Sequence, residues 1–178
     1  VGAHPQDVRT LVAHEPPTFD VLPDRDAALA VVEDIHDTYL RAGMGPAMAK
    51  FIAIVGHQGE IPADHTAQPA PDPAVFGLPT EDDGSRDDAL LGQNLRGCTG
   101  YRPDFAAVAA APTRVVIAGG EKSTGEPAGR AAAGVAERLG TEVTSFPGDH
   151  AGFLGGEYGM QGEPDAFAAR LRDVLDGG

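Results

Sequence analysis

The sequence predicts an α/β fold in which parallel strands are joined by helical crossovers, and three observations carry that prediction. Its segments read in the order strand, helical insertion, strand, helix, strand, helix, the pattern of right-handed connections between parallel strands. At 178 residues and 42% hydrophobic content, the chain is long and apolar enough for one domain with a real core. Phe146-Pro-Gly-Asp-His150-Ala-Gly-Phe153 places a histidine in a glycine-flanked turn just beyond a strand end, where α/β enzymes keep catalytic groups.

Each element has a local reason. Val8 to His14 is a short run of β-branched and aliphatic residues that stops against Glu15-Pro-Pro17, and reads as a buried strand, because proline cannot donate to a ladder. Ala3 to Asp7, just before it, reads as the end of a helix and a tight connection. From Asp26 to Arg41, Leu29, Val32, Ile35 and Tyr39 recur at three- and four-residue spacing, which predicts an amphipathic helix capped by Asp24 or Asp26. Met48, Phe51, Ile52 and Val55 predict a second helix over Pro46–Val55, stopped by Gly56.

Residues 58–88 are rich in proline and acidic side chains and predict an irregular, partly mobile loop. Short helices are expected over Asp87–Leu95 and Asp104–Ala111, ahead of a strand at Arg114–Ala118. Pro127 suits a first helical position, and Ala128, Ala131, Val135 and Leu139 form one buried stripe until Gly140. A short strand at Glu142–Phe146 and a helix at Pro164–Leu175, with Phe167, Leu171 and Val174 on one face, close the chain.

Composition excludes several classes of function. With 27 acidic against 13 basic side chains the net charge is -14, which repels phosphate backbones and anionic lipid surfaces, so no nucleic acid or membrane partner is expected. No apolar run approaches the length of a membrane span. The single cysteine, Cys98, cannot form an internal disulfide, which fits a reducing, cytoplasmic compartment. His57-Gln-Gly-Glu60 with Asp64-His65 offers nitrogen and oxygen ligands but no recognisable metal-site spacing, and no metal is expected there. Gly119 to Gly125 lacks the order of a phosphate loop, because its lysine precedes the second glycine.

Three segments carry a resemblance. Val8-Arg-Thr-Leu-Val-Ala-His-Glu-Pro-Pro17, Tyr101-Arg-Pro-Asp-Phe105 through Val116-Ile-Ala-Gly-Gly-Glu121, and Phe146 to Phe153 resemble, in order and spacing, the C-terminal part of the α/β-hydrolase superfamily. The likeness covers almost the whole chain. It implies a parallel sheet flanked by helices, with core segments at residues 1–17 and 112–178 and a helical cap inserted over residues 18–111. It also implies that the N-terminal strands and the nucleophile elbow lie outside this sequence, which contains no Gly-x-Ser-x-Gly and starts without methionine, as though mid-unit. Ser85, Ser123 and Ser145 lack the glycine-bracketed context of a nucleophile.

The resemblance implies roles for three side chains. His150 is the expected general base. The acid that orients it commonly stands two residues after the strand's Gly-Glu, but that position is Ser123, which is no carboxylate. Two alternatives keep the chain order: Glu121, and Glu15, the position used by some haloalkane dehalogenase-like members. Pro16 and Pro17, which fix its backbone at a strand end, favour Glu15. Strand alternation puts His14 on the other face, as a packed or hydrogen-bonded residue. Phe51, Ile52, Phe76, Leu78, Leu90 and Leu91 are candidates to line an apolar pocket.

The activity implied is hydrolysis of an ester, lactone or similar small substrate without metal or organic cofactor. Epoxide or carbon–halogen hydrolysis would require an aspartate nucleophile. A member that binds a small ligand without turning it over is the alternative from another class, and the serine at position 123 speaks for it.

Overall fold

The computed structural model describes residues 1–177. In chain order the elements are β1 (Thr10–His14), α1 (Arg25–Ala42), α2 (Met44–Val55), α3 (Leu95–Thr99), α4 (Phe105–Ala110), β2 (Arg114–Gly120), α5 (Pro127–Leu139), β3 (Thr144–Phe146) and α6 (Pro164–Asp176). The chain is mixed α/β. It divides into two compact units, one made of Val1–Pro17 with the segment from Arg102 onward, the other of Thr18–Tyr101. The second boundary falls at Arg102 instead of residue 112. Helix α4 belongs to the sheet-bearing unit, where Arg138 of α5 lies 5.8 Å from the centre of the Phe105 ring.

In the sheet-bearing unit the three strands are parallel, in the order β1-β2-β3. Val12 pairs with Val116 and Ala118 with Thr144, so β2 sits between the other two. Ile117 to Gly120 are buried. Strand β1, read from sequence as buried, is half-buried along its whole length, because among the described residues only one of its edges has a neighbouring strand. Ala118, Phe146 and Val174 form one core cluster of this unit, with Val12, Val116, Phe167 and Leu171 packed against it. Helix α5 keeps Ala131, Ala132, Val135 and Ala136 buried, and small side chains allow the helix to lie close to the sheet. Gly140 ends it in the left-handed conformation at φ 66°.

The other unit is helical. Tyr39, Ile35 and Leu91 are fully buried there, and Lys50 of α2 ties back to α1 through Asp34 at 2.6 Å and Thr38 at 3.0 Å. Asp24 precedes α1 but does not cap it, since its carboxylate accepts the Ile61 N–H at 2.6 Å. Between α2 and residue 88 the backbone forms only two short 3-10 turns, His65–Ala67 and Pro73–Phe76, as the prolines dictate. The helix expected from Asp87 begins instead as a π-helical turn at Leu90–Asn94 that runs into α3, with the Asp88 carboxylate accepting the Leu91 N–H at 2.8 Å. Of the six apolar residues considered for a pocket, Leu91 is core, and Ile52 and Phe76 are exposed.

Candidate functional site

The C-terminal ends of β1 and β2 and the turn after β3 converge on one cluster. Strand β1 ends at His14, and the next residue, Glu15, has φ 44° and donates its N–H to the Ala118 carbonyl at 2.9 Å. A positive φ is uncommon for a side chain with Cβ and costs on the order of 1–3 kcal/mol, so packing must hold it. The kink breaks the alternation of the strand. His14 and Glu15 therefore both approach His150, whereas simple alternation sends His14 to the opposite face. The sequence signal was the Pro16-Pro17 pair, which marks where the regular strand stops.

The turn that carries His150 is built by close backbone packing. Gly148 has φ 83°, and a Cβ at Gly152 would lie 2.5 Å from the Pro147 carbonyl oxygen. The Asp149 side chain accepts the Ala151 N–H at 2.8 Å and the Asp149 carbonyl accepts the Gly152 N–H at 3.0 Å. At the end of β2, Gly120 meets this turn so closely that a Cβ would sit 2.8 Å from the Asp149 backbone. That approach leaves the Gly120 N–H free to donate to Glu15 Oε1 at 2.8 Å.

His150 Nδ1 lies 2.8 Å from Glu15 Oε2, and while Glu15 is 0% exposed, the His150 side chain keeps 44% of its surface open. The carboxylate is thus a buried acceptor behind an accessible imidazole. Burial works against the ionised form of Glu15, but hydrogen bonds from His150 and Gly120, helped by the nearby Ser123 hydroxyl, outweigh it and hold the carboxyl below its usual range. The Ser123 hydroxyl is itself fully buried near that carboxylate and has no formed hydrogen bond. The Glu15 hydrogen bond raises the pKa of His150 against an opposing effect of burial, with the charges of Glu15, Glu126 and Asp149 adding to the rise. Burial and repulsion from Glu15 and Asp149 raise the Glu126 carboxyl in turn.

Glu121 is placed elsewhere. It is exposed and accepts a hydrogen bond from Ser145 Oγ at 3.2 Å, and among the described residues no hydrogen bond joins it to His150. Glu15 and Glu121 share only a cleft of about 410 Å3, also lined by Gly119, Thr124 and Ser145.

His14 packs edge-on against Phe146 and Phe167, with ring centres 5.8 and 5.0 Å away, and lies near-parallel to His150 at 6.4 Å. Of the two expected roles, packed or hydrogen-bonded, the ring contacts give the packed one, and Nε2 is buried without a hydrogen-bond partner. Burial lowers the pKa of His14. His14, Glu15 and His150 each offer one metal-ligating atom, and these lie within 4.8 Å of one another. His57 and His65 also stand close, ring centres 5.6 Å apart, with His57 Nε2 placed 3.1 Å from the Glu60 carbonyl.

No family model, curated protein or solved structure matches this chain. Its chemistry therefore rests on the cluster itself: an imidazole with one nitrogen engaged by a buried carboxylate and its outer edge accessible. Such a pair can take a proton from a nucleophile or from water and stabilise the resulting imidazolium. Cys98 is exposed and free, and no helix among the described residues is long and apolar enough to cross a membrane.

Proposed function

We propose that this chain is the acid-and-base part of an α/β-hydrolase-type enzyme acting on an ester, lactone or similar small substrate, with residues 18–101 as its helical cap. One observation carries the reading. The 2.8 Å contact between His150 Nδ1 and the buried Glu15 carboxylate has the geometry of a base held by its orienting acid. Glu15 engages Nδ1, which fixes the tautomer and leaves Nε2 to receive the proton of an attacking hydroxyl. The carboxylate then stabilises the imidazolium until Nε2 returns the proton to the leaving alcohol. In the second half-reaction the same nitrogen activates water against the acyl-enzyme.

On this reading Glu15 takes the role that Ser123 cannot fill, and Glu121 has none. On the same reading none of Ser85, Ser123 and Ser145 is the nucleophile. The free Cys98 supports a reducing, cytoplasmic setting.

The deciding experiment joins this chain to its upstream coding sequence and measures hydrolysis of a small activated ester. His150→Ala and Glu15→Gln are each expected to lower kcat by several orders of magnitude, about 10^4 for the acid by analogy with the serine triad. Glu121→Gln should leave turnover within about twofold of the parent. Full activity in His150→Ala would remove the base from the mechanism and with it the proposal.

A further inference from the structure

We propose that His14, Glu15 and His150 form a binding site for a borderline divalent cation such as Zn2+, and that the ion, once bound, closes the Glu15–His150 pair to proton transfer. The donor set is two imidazoles and one carboxylate, the combination that suits zinc and its neighbours better than magnesium or calcium. All three residues sit at the C-terminal side of the parallel sheet, with their ligating atoms within 4.8 Å of one another. Tetrahedral zinc with bonds of about 2.0–2.2 Å holds its ligand atoms roughly 3.3 Å apart. The Glu15–His150 pair is already at 2.8 Å, and no spacing in the set exceeds 4.8 Å, so binding asks for a closure of at most about 1.5 Å.

Three further features favour the cation. His14 keeps a ring nitrogen, Nε2, buried without any partner, an arrangement that is costly unless something engages the ring. His150 is 44% exposed and provides a way in from solvent. Glu126 and Asp149 add negative charge around the pair. The proton count balances: the ion takes His150 Nδ1, the ring keeps one proton on Nε2, and an imidazolium releases its second proton to solvent. With Nε2 protonated and Nδ1 on the metal, His150 can no longer accept a proton from a nucleophile. The site does not depend on the hydrolase reading, since binding is measured on this chain alone.

The test is a calorimetric titration of the 178-residue chain with Zn2+, alongside Co2+ followed by visible absorption. One ion per chain is expected, with cobalt d–d bands and no thiolate charge-transfer band. His14→Phe and Glu15→Gln should each weaken binding about tenfold or more, and His65→Ala should leave it unchanged. Should a variant misfold by circular dichroism, proton NMR of the parent decides, since the His14 and His150 ring signals should be those that move with zinc. No binding at zinc concentrations on the order of 100 μM would overturn the proposal. So would a thiolate band from Cys98, or binding that survives His14→Phe but disappears in His65→Ala. Ester hydrolysis by the joined enzyme with no zinc binding here would overturn this proposal and leave the hydrolase reading standing, whereas zinc binding here with no hydrolysis would do the reverse.

Discussion

Glu15 and His150, 135 positions apart in the chain, are joined by a 2.8 Å contact in which the carboxylate is fully buried and the imidazole remains open to solvent. The pair makes stability depend on pH in a definite window. The Glu15 carboxyl lies below its ordinary value of 4.5, so its contribution is complete above pH 4.5 and is lost as pH falls through the lower folded value. His150 lies above its ordinary value of 6.5, so its contribution is complete below pH 6.5 and is lost as pH rises through the higher folded value. Both are fully present between about pH 4.5 and 6.5. His14 and Glu126, displaced in the opposite directions, tilt the parent profile itself, so the pair is read from the Tm difference between the parent and Glu15→Gln. That difference should be largest in that window and shrink on both sides in thermal unfolding followed by circular dichroism. An unaltered Tm profile in Glu15→Gln would mean that the pair does not couple to folding.

The Ser123 hydroxyl, buried beside Glu15, helps to keep that carboxylate ionised. Ser123→Ala should therefore raise the titration midpoint of the Glu15 carboxyl, read by carbon-13 NMR, and move the acid shoulder of the Tm profile upward. Ser145→Ala, which removes a hydroxyl bonded to Glu121, is the matched control and should leave Glu15 unmoved. Equal midpoints in the parent and Ser123→Ala would show that Gly120 and His150 suffice.

Much of this arrangement was legible in the sequence, because the evidence was local. The apolar spacing of residues 26–41, Pro127 at a helix start and Gly140 at its end each act within one or two turns, and α1 and α5 form where they predict. The glycine-bracketed His150 and the proline-backed Glu15 were readable for the same reason. The face on which His14 lies was not, because alternation assumes an extended backbone and Glu15 leaves it at φ 44°. Nor was the extension of β2 to Gly120, which depends on contact with the Asp149 turn. The choice between Glu15 and Glu121 also needed coordinates: both stand at strand ends, and only the long-range meeting with His150 separates them.

Gly120 links the acid to the histidine turn, and a side chain there has no room. An added Cβ would sit 2.8 Å from the Cα and carbonyl carbon of Asp149 and from the Gly148 carbonyl oxygen, all of them backbone atoms that cannot swing aside. Gly120→Ala should destabilise the chain by about 1–3 kcal/mol in urea denaturation and lengthen the Glu15 contact with the Gly120 N–H. Stability equal to the parent would show that the 147–152 turn yields to the methyl group.

His14 offers the opposite case, a polar ring in apolar company. Its ring packs edge-on against Phe146 and Phe167, its Nε2 is buried without a partner, and burial already favours its neutral form. A buried unpaired polar atom costs about 1–3 kcal/mol, whereas an aromatic hydrocarbon of similar shape does not. His14→Phe should therefore be as stable as the parent or more stable by about 1 kcal/mol, with the Glu15–His150 contact intact, when unfolding is measured in metal-free buffer containing a chelator. The chelator matters, because zinc bound to the parent alone would add stability by mass action and reverse the sign. A loss above about 1 kcal/mol without metal would mean that the ring nitrogen has a structural partner in solution.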